Sequence, residues 1–482
     1  MQEKQAYLDY IDAHQEIFTQ VSDKVWEFAE LSLMEHQSAA LYCQVLEKEG
    51  FTVQTPVAGI DTAFTATYGQ GSPVIGILAE YDALSGLSQE GGATCRKELV
   101  PGGSGHGCGH NMLGAGSLAA AFAVKQYLQD AGSGTVIFFG CPGEEGGAAK
   151  AFMARDGLWK QLDAALTWHP DDVNQVTSGS CNSCIQTEYK FTGIASHAAG
   201  DPELGRSALD GVELMNLGVQ FLREHMPDAA RIHYAITNAG GNSPNVVQPH
   251  AQVLYMVRSE LVKDALALQA RVDKIAQGAA LMTETTLTKR FIDGCSNTVP
   301  NKTLEQLLWK NFEQVGVPVH TPEEVEYAKQ IVDSYEMPNP ALPGAACQED
   351  EEIAQWVAEQ SENGTLPLND FLIPYHFSTR QRMGSTDVGD VSWLVPTAQI
   401  NVVTFPSKAP GHSWQNVSSG KTSIGHKGLL TAGKVLAAAA IDLYENPSLL
   451  QQAKEEFAKR AAAGYTCPVP ADAVPTVVGG QM

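Results

Sequence analysis

The chain is short of positive charge: its 482 residues hold 31 Lys and Arg against 55 Asp and Glu, a formal charge of −24. So acidic a chain repels polyanions, which argues against nucleic acid or an anionic membrane surface as a partner. Long apolar runs are missing too. The Ala-rich stretch Ala115–Val124 stops at Lys125 and Gln126, well short of a membrane span. The N-terminal MQEKQAYLDYIDAH carries acids and no apolar segment of signal-peptide length. Nine cysteines, odd in number and scattered, argue against a disulfide framework and for reduced thiols in the cytoplasm. Cys181-Asn-Ser-Cys184 lacks the second pair a zinc or redox motif would need, and Gly102–Gly109 lacks the Gly-Lys-Ser/Thr ending of a phosphate loop. No internal repeat or low-complexity tract is present.

What remains is an ordinary globular balance, 44% hydrophobic and 18% charged, in a chain too long for one core. Two domains are expected. A small acidic substrate would need a local positive site, a metal or a placed Arg, against so negative a background.

The first third alternates helical and strand patterns. Helical spacing covers Tyr7–Phe28 and Gln37–Glu49, and Ala/Leu-rich Asn111–Leu128 reads as a helix between the apolar runs Val74–Ala79 and Val136–Cys141. Short, continuous apolar runs fit buried strands of a mostly parallel sheet with helices on both faces. From residue 184 the rhythm changes to strand, helix, strand, strand, helix, strand, the split-βαβ order of a ferredoxin-like domain. The expected division is 1–182 and 297–482 for a catalytic α/β domain, with 183–296 inserted as an α+β lid. Residues 335–382 have weak periodicity and read as a long excursion; residues from Pro468 on read as a loose tail.

Chemistry concentrates at the predicted strand ends. Cys108 and His110 in GHGCGHN are two metal-ligand types two residues apart, preceded by glycines that let the backbone bend close to an ion. Alone, the motif is equally a flexible glycine loop. Glu144-Glu145 follows the strand VIFFGC; one carboxylate can bind a metal while its neighbour serves as general base, although an isolated pair is commonly a solvated turn. His169 in LTWHP and His412 in PGHSW follow two further apolar runs. Five such ligands exceed one tetrahedral site and suit a dinuclear centre. Asp82, closing the strand VIGILA, could orient His110 or simply form an acidic turn.

In this order the motifs resemble the aminoacylase and glutamate-carboxypeptidase family of metallopeptidases, in the branch that includes indole-acetyl-amino-acid hydrolases. The family pattern of D-A-L, C-G-H, P-x-E-E-G, a strand-end His and a late His is met by Asp82-Ala-Leu, Cys108-Gly-His110, Pro142-Gly-Glu144-Glu145-Gly, His169 and His412. GIASHAA and NVVQPHAQVLYMVR look like the family's lid segments, with His197, Asn245 and Arg258 as their functional residues.

The resemblance implies that Cys108, His110, Glu145, His169 and His412 hold two divalent ions, Mn²⁺ by likeness and Zn²⁺ by the preference of a thiolate. It makes Glu144 the base and His197 an oxyanion donor, with Asn245 and Arg258 gripping a substrate carboxylate. The implied substrate is a small acidic N-acyl amino acid, p-aminobenzoyl-glutamate foremost. A dipeptidase, an aminoacylase, an auxin-conjugate hydrolase or a non-catalytic subunit are the alternatives. A homodimer through the lid is implied, or a heteromer with a related A subunit. There are departures: Asn111 stands where many relatives have Asp, Glu80 where other branches place a His ligand, and 335–382 has no counterpart.

Overall fold

A computed structural model describes residues 2–477. Thirteen strands are described: Thr52–Gln54 (β1), Phe64–Gln70 (β2), Val74–Ala79 (β3), Gly134–Gly140 (β4), Ala164–Asp171 (β5), Gln175–Thr177 (β6), Ser180–Cys181 (β7), Ser183–Thr192 (β8), Arg231–Asn238 (β9), His250–Ser259 (β10), Thr286–Cys295 (β11), Gln381–Arg382 (β12) and Thr397–Val403 (β13).

The larger sheet runs β1-β2-β4-β3-β5-β13-β6. Its central strands β4, β3, β5 and β13 are parallel, while β2 and β6 pair antiparallel at the flanks. β3, β4 and β5 are almost wholly buried, as continuous apolar runs between two helical layers require. One face carries helices His110–Ala131 and Ser423–Glu445, packed closely enough that Gly116 and Gly433 approach across their interface. The other face is covered by Ala149–Arg155 and Val388–Ser392. From β3 the chain winds one way to β4 and the other way to β5, so a topological switch point lies at β3. A crevice therefore opens beyond the carboxyl ends of these strands.

The smaller sheet, β11-β8-β10-β9, is antiparallel throughout and carries Ala208–Leu222 and Val262–Thr283 on one face. That is the expected ferredoxin-like unit with its own core. The mostly parallel sheet with a separate α+β lid is the fold class expected.

Two expectations are corrected, and the long excursion gains detail. The first helix divides at His14, whose ring stacks on Tyr10 and bonds its carbonyl, giving Gln2–Ala13 and Gln15–Phe28. The segment after Pro468 is not loose where it is described: Val469 is buried and the Ala473 carbonyl accepts a bond from Arg155. Residues 335–382 contain a helix, Glu351–Gln360, and a small core of Ile353, Val357, Phe371 and Ile373 shared with Val173. This excursion docks on the sheet edge, where the Ile373 amide donates to the Asn174 carbonyl, and ends by pairing β12 with β7. Among the described residues, no helix is long and apolar enough to cross a membrane.

Candidate active site

Each central strand delivers one part of the site at its carboxyl end. β3 runs into Glu80 and Asp82, β4 into Glu144 and Glu145, β5 contains His169, and the loop after β13 carries His412. The helix starting at His110 brings Cys108 just ahead of its first turn. Gly109 makes this possible. Its φ is +82°, and a Cβ there would lie 2.8 Å from Phe405 and 2.9 Å from Pro170. Gly107 lets the same loop press against the His412 backbone, at 3.3 Å from a built Cβ.

Cys108, His110 and His169 form one convergent trio; Cys108, Glu145 and His412 a second; Glu80, His110 and Glu144 a third. Within each trio the candidate ligand atoms lie within 4.8 Å of one another. Cys108 Sγ is 3.4 Å from His169 Nε2, and His412 Nε2 is 3.3 Å from Glu145 Oε1. The far nitrogens of two rings are tied back: His110 Nδ1 to Asp82 (2.8 Å), His169 Nδ1 to the Pro170 carbonyl (2.7 Å). Both Nε2 atoms therefore face inward as ligands should. His110 Nε2 and Glu145 Oε1 are buried and make no hydrogen bond, although Glu80 Oε2 and His412 Nε2 lie 3.3 Å from them, respectively. Imidazole, thiol and carboxylate donors converging with unsatisfied buried atoms fit a divalent transition metal.

The electrostatics agree. Burial, then the nearby Glu80, Glu145 and Asp387 carboxylates, hold the Glu144 carboxyl well above its usual range. Burial alone would discourage a charged His110, but Cys108 and Asp82 outweigh it and raise the ring well above its ordinary value. The cluster carries a surplus of negative charge that a cation relieves. Asp82 resists burial through His110 and through bonds from the Glu145 amide (2.9 Å) and Ser32 (2.8 Å), which hold it at about 2. One carboxylate thus ties the Cys-Gly-His loop to the Glu-Glu loop.

Cys108, Glu145, His169, His412 and Glu144 border a cavity of about 330 Å³, which Arg258 also lines. Arg258 Nη1 donates to Ser385 (2.9 Å), while its buried Nε has no partner. His197 and Asn245 do not join them. Both are exposed on the lid, where the Asn245 carbonyl accepts from the Ala198 amide and His197 Nδ1 accepts from the Gly200 amide (2.9 Å).

Sequence reasoning missed three charged groups. Lys150 is completely buried and bridges Glu80 (2.6 Å) and Asp387 (2.5 Å), both of which line the cavity. Glu35, far upstream, accepts from the Gly143 amide (2.8 Å) and so holds the loop preceding Glu144. The available signals were a lysine soon after a buried strand and an aspartate in the Ser385–Trp393 segment; neither has a local pattern. Asn111 donates to Ser22 Oγ and to the Gly420 carbonyl at 3.0 Å each and serves packing.

Paired glutamates among converging His and Cys side chains at a strand-end crevice, overhung by an α+β lid, define a metal-dependent amide hydrolase. The chain belongs to peptidase family M20/M25/M40, whose sequence profile matches residues 76–414. It is 44% identical to a subunit of the p-aminobenzoyl-glutamate hydrolase of Escherichia coli strain K12, with 99% of each chain covered. It is 26% identical to a mouse Xaa-Arg dipeptidase, over 94% of this chain and 92% of that one. Its fold matches the crystal structure of an aminobenzoyl-glutamate utilization protein from Klebsiella pneumoniae at a TM-score of 0.58 and 16% identity, covering 90% of this chain and 97% of that one.

Proposed function

We propose that the chain hydrolyses p-aminobenzoyl-glutamate to p-aminobenzoate and glutamate. The observation that carries this reading is full-length similarity to a hydrolase of that compound, in a chain that holds Glu144 beside Glu145 and sets Arg258 on the same cavity. Cys108, His110 and His169 would hold one divalent ion, and Cys108, Glu145 and His412 another, with Mn²⁺ favoured over Zn²⁺. Such ions supply Lewis acidity and lower the pKa of water. Glu144 takes the proton of the attacking water and returns it to the leaving nitrogen. Arg258 offers the fork geometry that a substrate carboxylate needs, and its unbonded Nε is available for it. Asp82 keeps His110 in register.

His197 and Asn245 act from the lid of a second copy. Support comes from the lid's own surface: edge strand β9 exposes Tyr234 and Ile236, and helix Ala208–Leu222 exposes Leu217 and Phe221. A heteromer with a related A subunit is the second assembly, favoured because the similar hydrolase is itself described as one subunit. The nine free cysteines support a reducing, cytoplasmic setting.

The test is metal-stripped protein given Mn²⁺ or Zn²⁺ and assayed on p-aminobenzoyl-glutamate, N-acyl amino acids, dipeptides and auxin conjugates. Metal-restored release of p-aminobenzoate, faster than cleavage of the others, is expected. Folded, ion-loaded protein that spares p-aminobenzoyl-glutamate but cleaves another compound would reassign the substrate.

A further inference from the structure

A second cavity, of about 280 Å³, adjoins the catalytic one. The two share Gly384, Ser385, Thr386, Val388 and Gln399 as a common wall. Val299, Pro300 and Ala398 give the second cavity apolar sides, and two charged groups lie in it, Glu305 and Arg382.

Glu305 is an unusual residue for such a place. It sits in the first turn of helix Lys302–Val315 and is 1% exposed. Ser178 (2.7 Å) and Tyr375 (2.9 Å) both donate to one of its oxygens, Oε2. Among the described residues, Oε1 receives no hydrogen bond. A carboxylate held by one oxygen, with the other free at a ligand-sized space, is an acceptor awaiting a donor. Arg382 comes from the end of the 335–382 excursion and is anchored on the Ser178 carbonyl (2.7 Å). The same excursion supplies Tyr375. That segment thus supplies one charged group of the second cavity and a hydrogen bond to the other.

We propose that this cavity receives the acyl end of the substrate as an arylamine, with Glu305 Oε1 accepting a hydrogen bond from the ring's amino group. The proposal rests on the reading of the site as a p-aminobenzoyl-glutamate hydrolase. Three features select this end of the molecule. Val299, Pro300, Val388 and Ala398 offer a ring apolar contacts among hydroxyl-bearing side chains such as Thr298 and Ser392. Above about pH 7, where Glu305 is ionised, its charge offsets that of Arg382, which suits a neutral arylamine, and Glu305 then repels a carboxylate. The catalytic cavity, by contrast, holds Arg258 with an unbonded nitrogen, so the glutamate end belongs there. Its orientation follows: glutamate towards Arg258, scissile amide at Glu144, ring beyond the Ser385 wall.

The test compares p-aminobenzoyl-glutamate with benzoyl-glutamate, which lacks only the amine, in metal-loaded wild type, Glu305→Ala and Glu305→Gln. Wild type should prefer the amino compound, mainly through KM. Glu305→Ala should reduce that preference, read as the ratio of kcat/KM on the two substrates, by roughly tenfold, the scale of a hydrogen bond to a charged group. Should Glu305→Ala fail to fold, Glu305→Gln carries the comparison, since a neutral acceptor should weaken the preference in the same direction. Equal losses on both substrates, or no wild-type preference for the amine, would overturn the proposal while leaving the hydrolase reading intact. Equilibrium dialysis of p-aminobenzoate against benzoate reads the same contact without turnover. An enzyme that cleaves neither substrate yet binds p-aminobenzoate through Glu305 would overturn the reaction and not the cavity; binding that ignores both the amine and Glu305 would overturn the cavity.

Discussion

Glu144 and Glu145 are neighbours in sequence with different surroundings. Glu145 faces Cys108 and His412, whereas Glu144 faces Glu80 and His110. Adjacent residues on a turn project apart, so one can ligate while the other stays free to move a proton. Glu144→Gln should lower kcat by roughly 10²–10⁴-fold, the usual range for a general base, with ion content by elemental analysis unchanged. Asp82→Asn removes a charged partner from His110 Nδ1 and an anchor for the Glu145 amide. Titration of the apo protein should show metal affinity about 10–100-fold weaker. Lys150 works from behind the site, holding Glu80 and Asp387 without itself lining the cavity. Lys150→Met leaves two buried carboxylates without their cation. Denaturant unfolding should lose about 3–5 kcal/mol, the cost of breaking a buried pair from one side.

Strands and loops explain why the ligand motifs were readable. Parallel strands end at one edge of the sheet, so residues just after an apolar run in an α/β chain share a neighbourhood. That logic reached Cys108, His110, Glu144, Glu145, His169 and His412, and the structure brings all six together. It could not reach Lys150, whose helix Ala149–Arg155 lies after the loop and whose partner Asp387 is 237 residues away. Nor could it reach Glu35, which supports the Glu144 loop from the segment between two helices. The loop before His110 carries its own demand. Gly109→Ala would combine a left-handed φ of 82° with contacts of 2.8–2.9 Å. A shifted Cys108 is the expected consequence, seen as reduced metal content with the overall helix signal in circular dichroism preserved.

At the scale of the whole molecule, buried carboxylates set the response to pH. Burial outweighs the hydrogen bonds from Ser296 and Tyr465 and lifts Asp390 from its usual 3.8 to about 7. Burial likewise lifts Glu305 from 4.5 to about 7 against bonds from Ser178 and Tyr375. A raised folded-state value means that the native protein binds protons more tightly than the unfolded chain. This contribution to stability is complete below the unfolded value and is lost as pH rises through about 7. Unfolding free energy, measured by denaturant at pH 5 and pH 8, should be larger at pH 5 as far as these groups decide it. Asp390→Asn should narrow the difference.

The sequence alone determined the class of fold and the kind of chemistry. Periodicity separates buried parallel strands from an amphipathic βαββαβ unit, and ligand-type residues following apolar runs mark one edge of one sheet. These are local patterns, written within a few residues of each other. Tertiary structure decided the rest: the Glu80–Lys150–Asp387 bridge, the double anchoring of Asp82, the second cavity that Glu305 and Arg382 line, and the separation of His197 and Asn245 from the cavity that Arg258 lines. Each depends on which surfaces meet when distant segments pack. Burial then fixes which charges must find partners, and no local pattern encodes that.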